Sequence, residues 1–151
     1  MSESIFSYEP IILTKEVLIG DYFSQNCQLI IKMWELHYPK SGFHPPWIGY
    51  FVKRNEIIVG SCGFVAPPQN KKVEISYGTF KEYEGRGISS ESCRYLVSLA
   101  RKEFPEIIIT AKTAPENNSS TKILLKNNFI FSRIVQDDEI GDAWEWVLPN
   151  K

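Results

Sequence analysis

The stretch Val73-Glu-Ile-Ser-Tyr-Gly-Thr-Phe-Lys-Glu-Tyr-Glu-Gly-Arg-Gly-Ile-Ser-Ser-Glu91 decides the fold. Polar and apolar residues alternate in Lys72–Phe80, the period of a strand with one buried face. The chain then turns through Gly85 and Gly87, and Ser89-Ser90-Glu91 opens a helix. The first N–H groups of a helix lack intrahelical partners, and here they point back into the turn. With the helix dipole behind them they form a site for phosphate or another anion. Glycine at 85 and 87 lets a ligand approach the backbone closely. Ser89 and Ser90 add hydroxyl donors and Arg86 a positive charge, so the anion site runs through Gly85, Arg86, Gly87, Ile88, Ser89 and Ser90. A helix cap whose glycines serve only the turn is the alternative.

Two other phosphate motifs fit less well. Gly85-x-Gly87-x-x-Ser90 imitates part of a dinucleotide fingerprint. Its preceding strands read as antiparallel, however, and Glu106 precedes the next strand instead of ending it. A phosphate-loop NTPase requires Gly-Lys-Ser/Thr, which the chain lacks.

Upstream, Trp47–Lys53 and Ile57–Ala66 read as strands joined at Arg54-Asn55-Glu56. With Lys72–Phe80 they form an antiparallel meander. Apolar residues recur at helical spacing from Asp21 to about His37, Lys40–Pro46 is a loop, and Tyr8–Leu13 is a first strand marked as an edge by Pro10. Downstream, Ser90–Phe104 carries Cys93, Leu96, Val97, Ala100 and Phe104 on one helical face. Ile107–Ala111 reads as a strand buried on both faces. Pro115–Ser120 starts a short helix through Lys126, and Phe129–Val135 and Ala143–Leu148 close the chain as strands. We expect one mixed α/β domain over residues 1–151, without repeats or linkers.

Composition narrows the function classes. The chain has 151 residues, 43% hydrophobic and 23% charged, with a formal net charge of -1. That balance suits a globular protein with a real core. Lys and Arg are scattered instead of clustered, so no nucleic-acid partner is expected. No apolar stretch approaches membrane-spanning length. The opening residues have no basic start followed by an apolar run, so no secretory signal is expected. Cys27, Cys62 and Cys93 are an odd number, far apart, and neither histidine stands at ligand spacing from them. They read as free thiols, with no metal site, in a cytoplasmic protein.

Beyond these local readings, three segments carry a resemblance. Glu84-Gly85-Arg86-Gly87-Ile88-Ser89 resembles the Arg/Gln-x-x-Gly-x-Gly/Ala pyrophosphate loop of the GNAT superfamily of N-acetyltransferases, with Glu84 and Ser89 as departures. Glu116-Asn117-Asn118-Ser119-Ser120 through Asn128-Phe129 is similar to the family's Glu-Asn-x-x-Ser…Gly-Phe segment. Asn128 stands there for glycine, and Asn tolerates the left-handed conformation. Trp47-Ile-Gly-Tyr-Phe-Val and Ile58-Val-Gly-Ser-Cys-Gly-Phe resemble the paired strands of the ribosomal-protein N-acetyltransferase-like branch.

The resemblance implies a mostly antiparallel mixed sheet with a splayed parallel strand pair and helices on both faces. It implies direct transfer of an acetyl group from acetyl-coenzyme A to a primary amine, a peptide N-terminus or a small molecule, in a ternary complex. Backbone groups of Tyr77, Gly78 and Thr79 would bond the pantetheine, and the amides of Gly85–Ser90 the pyrophosphate. Asn117 and Ser120 would face the thiol end, Asn117 serving also or instead as a helix cap. Glu74 would take the amine proton, against a plain solvated strand residue as its alternative. The family's tyrosine proton donor falls at Leu124, which cannot donate, so no acid is assigned.

His37 and His44 flank the expected acceptor loop, either orienting an amine or simply packed. Trp34, Tyr38, Phe43 and Trp47 line an acceptor pocket or belong to the core. A non-catalytic acyl-coenzyme A-binding module remains the alternative function. Pairing of the final strands into a homodimer stays open.

Overall fold

Period-two patterning upstream of the glycine turn produces the expected meander, and the helical stripes cover it from both sides. The computed structural model describes residues 5–13 and 20–149; the opening residues 1–4, read above for a leader, lie outside them. The elements are β1 (Phe6–Pro10), α1 (Gln25–Ser41), β2 (Gly49–Arg54), β3 (Ile57–Phe64), β4 (Lys72–Thr79), α2 (Ile88–Glu103), β5 (Ile108–Thr113), α3 (Ser119–Lys126), β6 (Ile130–Asp137) and β7 (Gly141–Leu148). They form one seven-stranded sheet in the order β1-β2-β3-β4-β5-β7-β6. Every neighbouring pair is antiparallel except β4 and β5. The mixed α/β architecture is therefore the expected one. No helix among the described residues is long and apolar enough to cross a membrane.

Directly paired residues share a sheet face, which assigns the helices. Cys62 lies opposite Tyr77 and Tyr50. On that face Tyr50 meets Tyr95 of α2, and Tyr77 reaches the start of α3. Gly49 lies opposite Gly63, and Gly63 opposite Ser76, on the other face, where Trp34 of α1 lies against both glycines. So α2 and α3 cover one face and α1 the other. Phe51, Phe64, Ile75, Leu96, Leu124 and Phe129 are all buried between these layers.

The close approach of α1 depends on having no side chain below it. A Cβ at Gly49 would stand 2.4 Å from Trp34 Cε2. Gly49→Ala should therefore destabilise the protein by about 1–3 kcal/mol through overpacking. Urea melts of the two proteins check this; an unchanged midpoint would mean that α1 shifts freely over the sheet.

Several boundaries move from their sequence positions. β1 begins two residues before Tyr8 and ends at Pro10, because its register follows β2 from Phe6 opposite Arg54 to Pro10 opposite Tyr50. Of the apolar run beyond it, Ile11 is buried while Ile12 and Leu13 are exposed. α1 starts at Gln25, capped by the Ser24 side chain, after a short 3-10 turn over Gly20–Phe23. It then runs through Pro39 to Ser41, into the expected loop. The Tyr38 hydroxyl anchors this last turn by donating to Ile11 O at 2.8 Å and accepting from Gly49 N at 3.2 Å. β5 extends to Thr113, beyond the expected end at Ala111.

Candidate active site

The parallel pair β4–β5 opens into a split. Their register runs from Lys72 opposite Ile108 to Ile75 opposite Ala111 and stops there, while β4 continues to Thr79. Which backbone groups face the split follows from the β3 side. Glu74 O accepts from Val65 N, and Phe80 N, one residue past β4, donates to Val59 O, both at even-numbered positions. The β3–β4 register is unbroken, so Ser76 and Gly78 also turn their peptide groups to β3. Tyr77 and Thr79 turn theirs toward the split. Of the three residues named for backbone bonding, two thus present N–H and C=O there. Gly78 lines the cleft without a side chain, and a Cβ on it would meet nothing within 4 Å.

The glycine turn closes the phosphate end. A 3-10 turn over Lys81–Tyr83 leads into Gly85 and Gly87, both left-handed with φ of 78° and 77°. Gly87 is the N-cap of α2, and no side chain caps that end. Ser89 and Thr79 share a hydroxyl hydrogen bond of 2.6 Å, which ties the helix start to the end of β4. The opposite wall is α3. Asn118 caps it with a reciprocal bond to Thr121, so Asn118 is the cap and not Asn117. Asn128 is left-handed at φ 71° where the family pattern has glycine.

Together these elements line a cleft of about 500 Å³. It holds Tyr77, Gly78, Thr79, Gly85, Gly87, Ile88, Ser89, Ser90 and Ser120 of the residues named from sequence. Arg86, Asn117 and Glu74 are not among its lining residues. The Arg86 guanidinium lies 5.8 Å from the Tyr83 ring centroid, and Asn117 is exposed. Two contacts orient the cleft. At one end the Tyr77 hydroxyl donates to Ser120 O at 3.5 Å; at the other Asn127 Nδ2 donates to Ser90 Oγ at 3.2 Å. Sequence reasoning missed Ser119, Lys122, Ile123 and Lys126, which also line it. Their i, i+3, i+4, i+7 spacing was the available signal.

Glu74 sits one rung before the strands part, opposite Thr110. It shares a sheet face with Ser76, and so with Trp34 of α1, not with α2. Among the described residues it is the only carboxylate lining a second hollow of about 330 Å³, with Val65, Ala66, Pro67, Gln69, Asn70, Lys72, Val73 and Thr110. Its carboxylate lies 3.5 Å from Lys112 Nζ, which is also 3.9 Å from Asp137. Burial pushes the Glu74 carboxyl above its ordinary value despite the opposing pull of Lys112. It is thus a half-buried, ion-paired acid, which differs from the solvated residue offered as the alternative.

Leu124 is fully buried in the core and Cys62 and Cys93 are buried free thiols, as is Cys27 on α1. His37 Nε2 bonds Val65 O, which makes it a packed residue at the rim of the Glu74 hollow. Trp34 and Tyr38 belong to the core, while Phe43 stays exposed.

Residues 20–130 match the family described as the acetyltransferase (GNAT) domain. Among curated relatives, the uncharacterized N-acetyltransferase p20 of Bacillus licheniformis is 30% identical over 89 residues, 58% of this chain and 50% of that protein. The uncharacterized N-acetyltransferase YjdG of Bacillus subtilis (strain 168) is 33% identical over 81 residues, 53% of this chain and 48% of that protein. The chain spans about half the length of these curated relatives. Among solved structures, the RimL ribosomal L7/L12 alpha-N-protein acetyltransferase in complex with coenzyme A is similar at a TM-score of 0.70. It is 15% identical, covering 98% of this chain and 96% of that one, a likeness of fold.

Proposed function

This chain belongs to the GNAT acetyltransferase family, and on that premise we propose that it moves an acetyl group from acetyl-coenzyme A to a primary amine. The observation that carries this reading is the continuity of one cleft from the β4–β5 split to the uncapped start of α2. Such a cleft suits a long ligand with amides at one end and phosphates at the other, and RimL, which shares the fold, holds coenzyme A.

In this reading the peptide groups of Tyr77 and Thr79 bond the pantetheine amides as an added strand would. The first-turn amides of α2 hold the pyrophosphate. The thioester then lies near the closed end of the split, with Ile75 and Ala111 as its limit. The amine approaches from the face of Glu74, the only acid among the described residues that line that hollow. An alkylamine is mostly protonated at neutral pH, and Glu74 accepts its proton before attack. The amine nitrogen bonds to the acetyl carbon, the carbon–sulfur bond breaks, and coenzyme A leaves as a thiolate that takes up the proton the acylated nitrogen sheds. Leu124 offers that thiolate no proton, and the one proton of the Tyr77 hydroxyl is already donated to Ser120 O.

Calorimetric titration with acetyl-coenzyme A, followed by thiol release in the presence of peptide and small-molecule amines, tests the proposal. Micromolar binding with amine-dependent thiol release supports it. Binding without transfer to any amine would favour the acyl-coenzyme A-binding module, a reading that the buried Leu124 keeps in view. No binding by the folded protein would sink both.

A further inference from the structure

The stripe of α3 that faces the cleft consists of Ser119, Lys122, Ile123 and Lys126, while its other side buries Thr121 and Leu124. Among the described residues, Lys122 and Lys126 are the only cations that line the cleft, and Glu84 is its only carboxylate. Arg86, the cation suggested by the loop sequence, is not among the lining residues; its guanidinium lies 5.8 Å from the ring centroid of Tyr83, which does line the cleft. None of the ion pairs among the described residues engages either lysine. Position along the cleft separates their roles. Ser120 marks the Tyr77 end. Asn127, next to Lys126, bonds Ser90 in the first turn of α2, so Lys126 stands across from the amides that start that helix. Lys122 lies one turn back on the same face.

The geometry points to Lys122 and Lys126 of α3, and not Arg86 of the loop, as the cationic side of the phosphate-binding site for acyl-coenzyme A. This rests on the proposed cofactor. The amides of α2 supply directional hydrogen bonds from one wall, and the lysines supply charge from the other. That charge also offsets Glu84, which would otherwise oppose an anion in the same cleft. Two flexible ammonium groups suit several phosphate positions as point charges, where a guanidinium fork would fix one.

The test is calorimetric titration with coenzyme A and with its dephospho form, at about 0.05 and 0.3 M salt, a range over which the Debye length shrinks by more than half. Wild type, the Lys122→Gln/Lys126→Gln variant and Arg86→Gln are compared. Both lysines are exposed, so the double variant should melt as wild type does. We expect it to weaken coenzyme A binding by about 10- to 100-fold, near the effect of one modest ion pair per lysine, with a flatter salt dependence. Arg86→Gln should change affinity less than threefold. Equal losses for both ligands assign the lysines to the pyrophosphate, and a loss confined to coenzyme A assigns them to the ribose phosphate; either upholds the inference. Unchanged affinity of the double variant, or a larger loss from Arg86→Gln, overturns it. Failure of wild type to bind either ligand counts against the cofactor itself.

Discussion

Gly87→Glu is expected to abolish acetyl-coenzyme A binding, by 100-fold or more, while leaving the protein folded. Gly87 caps α2 with φ 77° and ψ 9°, a region where a side chain costs about 1–2 kcal/mol. No atom lies within 4 Å of where its Cβ would stand. The free space there is the cleft, so the new side chain would extend into it. Its carboxylate would find the same first-turn amides and the same dipole that a phosphate needs, and would hold them itself. A 100-fold loss corresponds to about 2.7 kcal/mol, well within reach of that competition. Strain alone must be separated from blockage, and Gly141 offers the control. It too is left-handed, at φ 78°, with nothing within 4 Å of a built Cβ, but it starts β7 away from the cleft. Gly141→Glu should share the fall in melting temperature and keep full binding. If Gly87→Glu binds as tightly as Gly141→Glu, the glycine turn is not the phosphate site.

What could be read from the sequence follows from how local each signal is. The β4–turn–α2 unit was legible because alternation, two glycines and a serine helix start all act within a few residues. Asn128 was legible for the same reason: a left-handed residue after a helix narrows the choice to glycine and asparagine. Pro39 shows the opposite case. Proline removes a helical hydrogen bond and usually ends the helix, yet α1 continues to Ser41, where Gly42 N still donates to Tyr38 O. The Tyr38 hydroxyl is held by β2 and by Ile11, contacts from distant sequence that no local pattern reports. The cationic wall has the same origin. Lys122 and Lys126 become one side of the cleft only because α3 packs beside α2. Glu74 was legible as a carboxylate on a strand, but not as a partner of Lys112, because that pair spans β4 and β5.

Glu74→Gln should separate catalysis from stability. If Glu74 accepts the amine proton, the amide cannot, and turnover should fall by about 10²- to 10⁴-fold, the usual contribution of a positioned base. Acetyl-coenzyme A affinity should hold, since Glu74 lies outside the cofactor cleft. Stability should move the other way. The folded carboxyl sits above its ordinary value because burial disfavours its charged form, and Lys112 offsets only part of that. A carboxyl raised in this way costs nothing at pH values below its ordinary range, where it is neutral in both states. The cost grows as pH rises from the ordinary value through the folded one. Glutamine removes it, while Lys112 keeps Asp137 at 3.9 Å. The variant should therefore be at least as stable as wild type at pH 7, with the difference vanishing by about pH 4, near the unperturbed carboxyl value. Its residual turnover should also lose the wild type's rise with pH that reports the raised Glu74 carboxyl. Full turnover in the variant would remove Glu74 from the reaction. A loss of turnover that tracks a fall in melting temperature would make the Glu74–Lys112 pair structural and move the base elsewhere on that sheet face.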